Sequence, residues 1–189
     1  MQNSKINSSS LDSLSDEYII CICEGAAEEA IINILLKNNC LKFSKENLVG
    51  RDITRLRKAS EIESSFLHRD YTKPVHILRI LDSRREKFNL GKLYRGRYPV
   101  DNIYTTPEIE ILLIIAEGAY DDYVKKKKTK FKPSTYCEEF LFPKQNLKGK
   151  DFIEDYFADV HKLINAIMKY KQKLGEKEYC LADLLQQNN

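Results

Sequence analysis

The sequence predicts an α/β protein, with a mostly parallel four-stranded sheet flanked by helices and a helical extension at the C-terminus. Three observations predict it. The runs Tyr18–Cys23 and Val75–Leu81 are apolar at nearly every position, as in strands buried on both faces. Segments with helical spacing alternate with such runs, the pattern of a parallel sheet covered on two sides. Beyond Lys132 only helical patterns occur. The 189 residues suffice for one well-buried core and not for two ordinary domains. We therefore divide the chain into a disordered tail over 1–16, an α/β domain over 17–132 and a helical extension over 133–189.

The first strand, Tyr18–Cys23, ends in Glu24-Gly25, and Gly25 allows a sharp turn into a helix over residues 26–39. Residues 41–50 are weakly patterned and supply the fourth strand of the count. Residues 52–69 show a partial helical face through Ile53, Leu56, Ile62, Phe66 and Leu67. Pro74 punctuates the chain before the strand Val75–Leu81, and Val100–Tyr104 is the last strand. Thr105-Thr106-Pro107-Glu108 carries helix-start chemistry: a hydroxyl to cap free amides, a proline for the first turn and an acid for the dipole. It predicts a helix over 107–123. In the extension, helices are expected at 133–140 and 151–173, with a last turn at 181–185.

A hydrophobic fraction of 42% and a charged fraction of 31% argue against disorder, collagen and coiled coil. The longest apolar run, residues 109–116, is interrupted by Glu110 and falls short of the ~18–20 residues that span a bilayer, so no membrane partner is expected. The tail has neither the apolar core of a signal peptide nor the basic character of a transit peptide. Five cysteines, an odd number without CxxC spacing, read as reduced thiols. Both features predict a cytoplasmic protein.

Net charge is only +3, but the cations are uneven. Arg84, Arg85, Lys87, Lys92, Arg95 and Arg97 face a single acid, Glu86, in a segment that also holds Tyr94. Such a one-sign excess directly after a strand end suits phosphate, and the segment is a candidate nucleic-acid contact. A second run, residues 125–128 with Lys130 and Lys132, falls at a predicted helix C-terminus, where cations suit the dipole without any partner.

In an open parallel sheet, functional side chains gather at the carboxyl ends of the strands. Glu24 closes the first strand and Asp82 the Val75–Leu81 strand, while Glu110 follows the last. Converging carboxylates repel one another, and a hard divalent cation, Mg²⁺ or Mn²⁺, relieves the repulsion. The bland alternatives are helix caps at Glu24 and Asp82 and a solvent-facing Glu110. His68, His76 and His161 have no ligand spacing and read as structural.

The run from Tyr18 to Glu29, an apolar strand ending in Glu-Gly with further acids soon after, resembles the first motif of the Toprim domain. Ile80-Leu81-Asp82-Ser83-Arg84 resembles a degenerate form of its second motif, a strand ending in Asp-x-Asp. Thr105-Thr106-Pro107-Glu108-Ile109-Glu110 is similar to the Ser-Asn-Pro segment and following Glu of the RloB-like branch. The resemblance covers roughly residues 17–125 and extends to nucleases of the overcoming-lysogenisation-defect type. It implies a Toprim-like sheet and Mg²⁺-dependent cleavage of DNA or RNA in a bacterial defence or restriction setting, with an ATPase as a possible partner. Carried over by position, Glu24 is the general acid or base, Asp82 a metal ligand and Glu110 an accessory acid. The family's second Asp falls at Arg84, and an arginine cannot bind a cation. Three accounts stay open: Glu86 replaces the lost ligand, Arg84 clamps phosphate, or the protein is catalytically inactive and binds nucleic acid, nucleotide or a partner ATPase.

Overall fold

Strands β1 (Tyr18–Cys23), β2 (Val75–Leu81) and β3 (Val100–Tyr104) form one parallel sheet in the order β1-β2-β3. The computed structural model describes residues 11–127, 131–147, 149–174 and 178–186. All three strands fall at the residues where the sequence predicts them. The expected fourth strand does not form among the described residues. Leu48 and Thr54 meet β1 only as isolated bridges to Ile19 and Ile22. Between them Gly50 and Arg51 adopt φ of 75° and 59°, left-handed values that break a ladder. At the other edge a further bridge joins Tyr104 to Cys180.

Alternation along the strands sends side chains into two separate cores. Ile19, Cys21 and Cys23 of β1 join Leu78 and Ile80 of β2 and Ile103 of β3 on one face. Ile20, Ile22, Val75 and Ile77 point to the other. The first face is covered by α1 (Ala26–Lys37) and α3 (Ile111–Ala116), which are packed in turn by α6 (Lys150–Tyr156) and α7 (Val160–Leu174). The second face carries α2 (Ala59–Ile62), its π-helical continuation Glu63–Leu67, and the segment of Leu90, Tyr94 and Tyr98.

Several expected boundaries shift. The helix expected over 107–123 starts later and is split into α3 and α4 (Tyr120–Lys127), with Gly118 at φ 70° between them. The long helix expected over 151–173 is likewise divided into α6 and α7, and Phe157 at the break is fully buried. The short elements α5 (Pro133–Tyr136) and α8 (Leu181–Leu184) fall where expected.

Two parts of the domain division need correction. Leu11 and Leu14 are 2% and 0% exposed within the first core, so residues 11–16 are not a loose tail. Residues 1–10 lie outside the described residues. The C-terminal helices do not form an appendage either, because their buried side chains belong to the same core as α1 and α3.

No helix among the described residues is long and apolar enough to cross a membrane. His76 is buried in β2, its two ring nitrogens 3.0 and 2.9 Å from carboxylate oxygens of Glu17 and Asp101. This tie joins the lower ends of the strands and fits the structural role expected of it. The five thiols are free, and all but Cys40 are buried. Cys21 and Cys23 pack, as small hydrophobes do.

Candidate functional site

Because the strands are parallel, their carboxyl ends share one edge of the sheet. Cys23 pairs with Ile80 and Leu81 with Tyr104, so Glu24, Asp82 and Thr105 leave the ladder side by side. Glu24 Oε2 accepts a 2.8 Å hydrogen bond from the backbone amide of Asp82. A cleft of about 310 Å³ opens there, and Glu24, Glu28, Asp82, Glu108, Glu110 and Arg57 are among its lining residues. The three acids expected to converge, Glu24, Asp82 and Glu110, therefore line one cavity. Glu110 is 4% exposed and immediately precedes α3.

Arg57 was not foreseen at this site. It lies in irregular chain between the Thr54 bridge and α2, and its Nη2 bonds both Glu24 Oε1 and Glu86 Oε1. The other oxygen of Glu86 accepts from Arg79 Nη2 at 3.0 Å. Arg79 is 2% exposed in the central strand, bonds Asn102 Oδ1 at 3.0 Å, and sets its guanidinium 4.5 Å from the centre of the Phe88 ring. A chain of alternating charges thus runs from Arg79 through Glu86 and Arg57 to Glu24. Both oxygens of Glu86 are thus engaged by guanidinium groups, and both oxygens of Glu24 are engaged as well, by Arg57 and by the Asp82 amide. Replacing Arg79 by Met is expected to cost about 1–3 kcal/mol, because Asn102 and one oxygen of Glu86 lose a buried donor while Arg57 still holds the other oxygen. Urea unfolding midpoints of the two proteins check this.

The basic segment is divided by the fold. Arg84 is paired with Glu178 through contacts of 2.6 to 2.9 Å. Arg85 remains exposed beside Asp82. Lys87, Lys92, Arg95 and Arg97 are exposed on the segment that covers the opposite face of the sheet, and none of the four lines the clefts at Asp82. Arg95 Nε donates to Leu90 O, Arg97 pairs with Asp70 at 3.6 Å, and Tyr94 and Tyr98 are buried in the second core. Of the second lysine run, Lys128 and Lys130 lie outside the described residues.

No known protein family, curated protein or solved structure matches the chain. The site is therefore read from its own geometry. Oxygen donors suit a hard divalent cation, and Glu24 and Asp82 offer them side by side, with Glu28 on the same wall. Among the described residues, no three His, Cys, Asp or Glu side chains are grouped closely enough to hold an ion. In this arrangement Arg57 supplies the positive charge instead.

Burial is the main cause that pushes the Glu24 carboxyl up to about 7, and the neighbouring Asp82 carboxylate adds to it. Glu28 is raised as well, again chiefly by burial. The sign of the linkage follows. Folded protein holds the Glu24 proton more tightly than the unfolded chain, whose carboxyl has the ordinary value of 4.5. In metal-free protein this residue leaves stability undiminished below about pH 4.5 and lowers it progressively up to about pH 7. Glu24→Gln should remove that part of the pH dependence, as measured by urea midpoints across the window.

Proposed function

We propose that the cleft at Glu24 and Asp82 is a Toprim-like site for Mg²⁺- or Mn²⁺-dependent cleavage of nucleic-acid phosphodiesters. The observation that carries the reading is the meeting of Glu24 and Asp82 at the carboxyl ends of adjacent parallel strands, within one cleft that also contains Glu110 and Arg57. Glu24 and Asp82 would hold the cation, with Glu28 beside them. A bound divalent ion supplies charge stabilisation at a phosphoryl oxygen and a more acidic water. Before an ion binds, Glu24, with its carboxyl near 7, is suited to exchange a proton at neutral pH, and a bound dication would draw it to the carboxylate form. Arg57 is half-exposed and able to turn from Glu24 and Glu86 towards a substrate phosphate.

The test is metal-dependent cleavage of DNA and RNA in Mg²⁺ or Mn²⁺, with EDTA as the control. Absence of cleavage together with absence of Mn²⁺ binding at the site removes the proposal. A second reading has specific support. Arg84 stands where the resembled family has an acid, and Glu86 is engaged by Arg57 and Arg79. On that reading the protein is catalytically inactive and binds nucleic acid, nucleotide or a partner ATPase. Binding without cleavage in either metal favours it.

A further inference from the structure

Asp82 lines not one cleft but three. Besides the acidic cleft with Glu24, it borders cavities of about 630 and 570 Å³ on its other side. These two share Ser83, Arg85, Pro107 and Tyr123 in addition to Asp82, so they adjoin, and together they are called the trough below. Its chemistry differs from that of the acidic cleft. Its apolar and ring surface includes Pro107, Tyr120, Val124 and Phe131, while Ile111 and Tyr123 behind them are 2% exposed. The rim carries Arg85, Lys132 and Lys173, all exposed. Lys173 Nζ lies 4.0 Å from the centre of the half-buried Tyr120 ring, so cation and ring stand together at one end. Lys132 reaches Glu108 only at 3.7 Å.

We infer that this trough binds a single strand of nucleic acid and leads it past Asp82 into the acidic cleft. The inference rests on the reading of that cleft as a phosphodiester site, and it names the form of the substrate. A cationic rim over an apolar, ring-bearing floor is what a flexible strand requires: phosphates meet the rim and base faces meet the floor. Cavities of this size accept small-molecule groups, which here are individual nucleotides. A duplex keeps its bases paired and stacked, and would have to give up that energy before any base entered. The cations concerned come from the turn after β2, from the start of α5 and from the end of α7, so the C-terminal helices take part in substrate binding.

The experiment measures fluorescence anisotropy of labelled 12-nucleotide probes (oligo-dT, oligo-U and a duplex of mixed sequence) in EDTA, where no metal-dependent cleavage occurs. Single strands should bind more tightly than the duplex, and the two homopolymers report whether the sugar matters. Arg85→Gln, Lys132→Gln and Lys173→Gln should each weaken single-strand binding by roughly threefold to tenfold and lower the log–log salt slope by about 0.7. Lys92→Gln, on the opposite face of the sheet, should leave binding unchanged. Three exposed positions keep the test intact if one variant folds poorly. Equal affinity for the duplex, unchanged binding in all three trough variants, or an equal loss in Lys92→Gln overturns the inference. Strand binding through the trough without cleavage in either metal removes the cleavage reading and keeps the trough. Cleavage at full rate in the three variants removes the trough alone.

Discussion

Glu24→Gln is expected to lower metal-dependent cleavage by about 10²–10⁴-fold, the range associated with loss of a positioned acid or base. The substitution is nearly isosteric. A glutamine carbonyl still accepts the hydrogen bond from the Asp82 amide, so the turn after β2 keeps its shape. What disappears is a titrating oxygen and one negative charge in the cleft. The ion pair with Arg57 weakens, yet that guanidinium is half-exposed and keeps Glu86. Thermal unfolding of the variant at neutral pH should therefore match or exceed wild type, because the buried charge that costs stability there is gone, while cleavage collapses. Cleavage by the variant at the wild-type rate would remove Glu24 from the chemistry, and a large drop in melting temperature would make the kinetic result uninformative about its role.

Ending the chain after Lys132 is expected to abolish folding rather than to release an independent domain. Phe157, Leu163, Ile167, Leu181 and Leu184 are 0 to 1% exposed, in a core shared with α1 and α3. Each such side chain stabilises by about 1.5–3 kcal/mol when fully buried, against a total margin of about 5–15 kcal/mol for a typical domain. Five of them alone are comparable with that margin, and their removal also exposes the apolar residues they cover. Circular dichroism and urea titration of the shortened chain should show no cooperative transition. A sharp transition would mean that residues 11–132 hold together unaided.

β1 and β2 were legible in the sequence because burial on both faces leaves a largely apolar run, whereas β3 holds Asp101 and Asn102 and is mostly half-buried. Glu24 and Asp82 were legible for a related reason, since each is the first polar residue after such a run. Arg57 was not. It reaches Glu24 only because residues 48–54 travel beside β1, a placement set by the Leu48 and Thr54 bridges rather than by any periodicity. The roles of Lys132 and Lys173 were hidden for the same kind of reason, because helix packing decides which cavity an exposed lysine borders. The stretch from Arg84 to Arg97 is one segment in sequence but is divided in space, with Arg85 beside Asp82. Its cations are adjacent in sequence, but Leu90, Tyr94 and Tyr98 are drawn into the second core and carry their neighbours to the far face. The break at Gly118 was signalled by the glycine itself, although a lone glycine inside a helical pattern is often tolerated.

The bridges at both margins of the sheet bear on how copies of the chain meet. Beside β1 the backbone is already engaged at Ile19, Cys21, Ile22 and Cys23, and beside β3 it is engaged at Tyr104. β3 is only five residues long and carries Asp101. Short, charged or occupied margins offer little template for an incoming strand. Strand-to-strand stacking of whole molecules is thereby disfavoured.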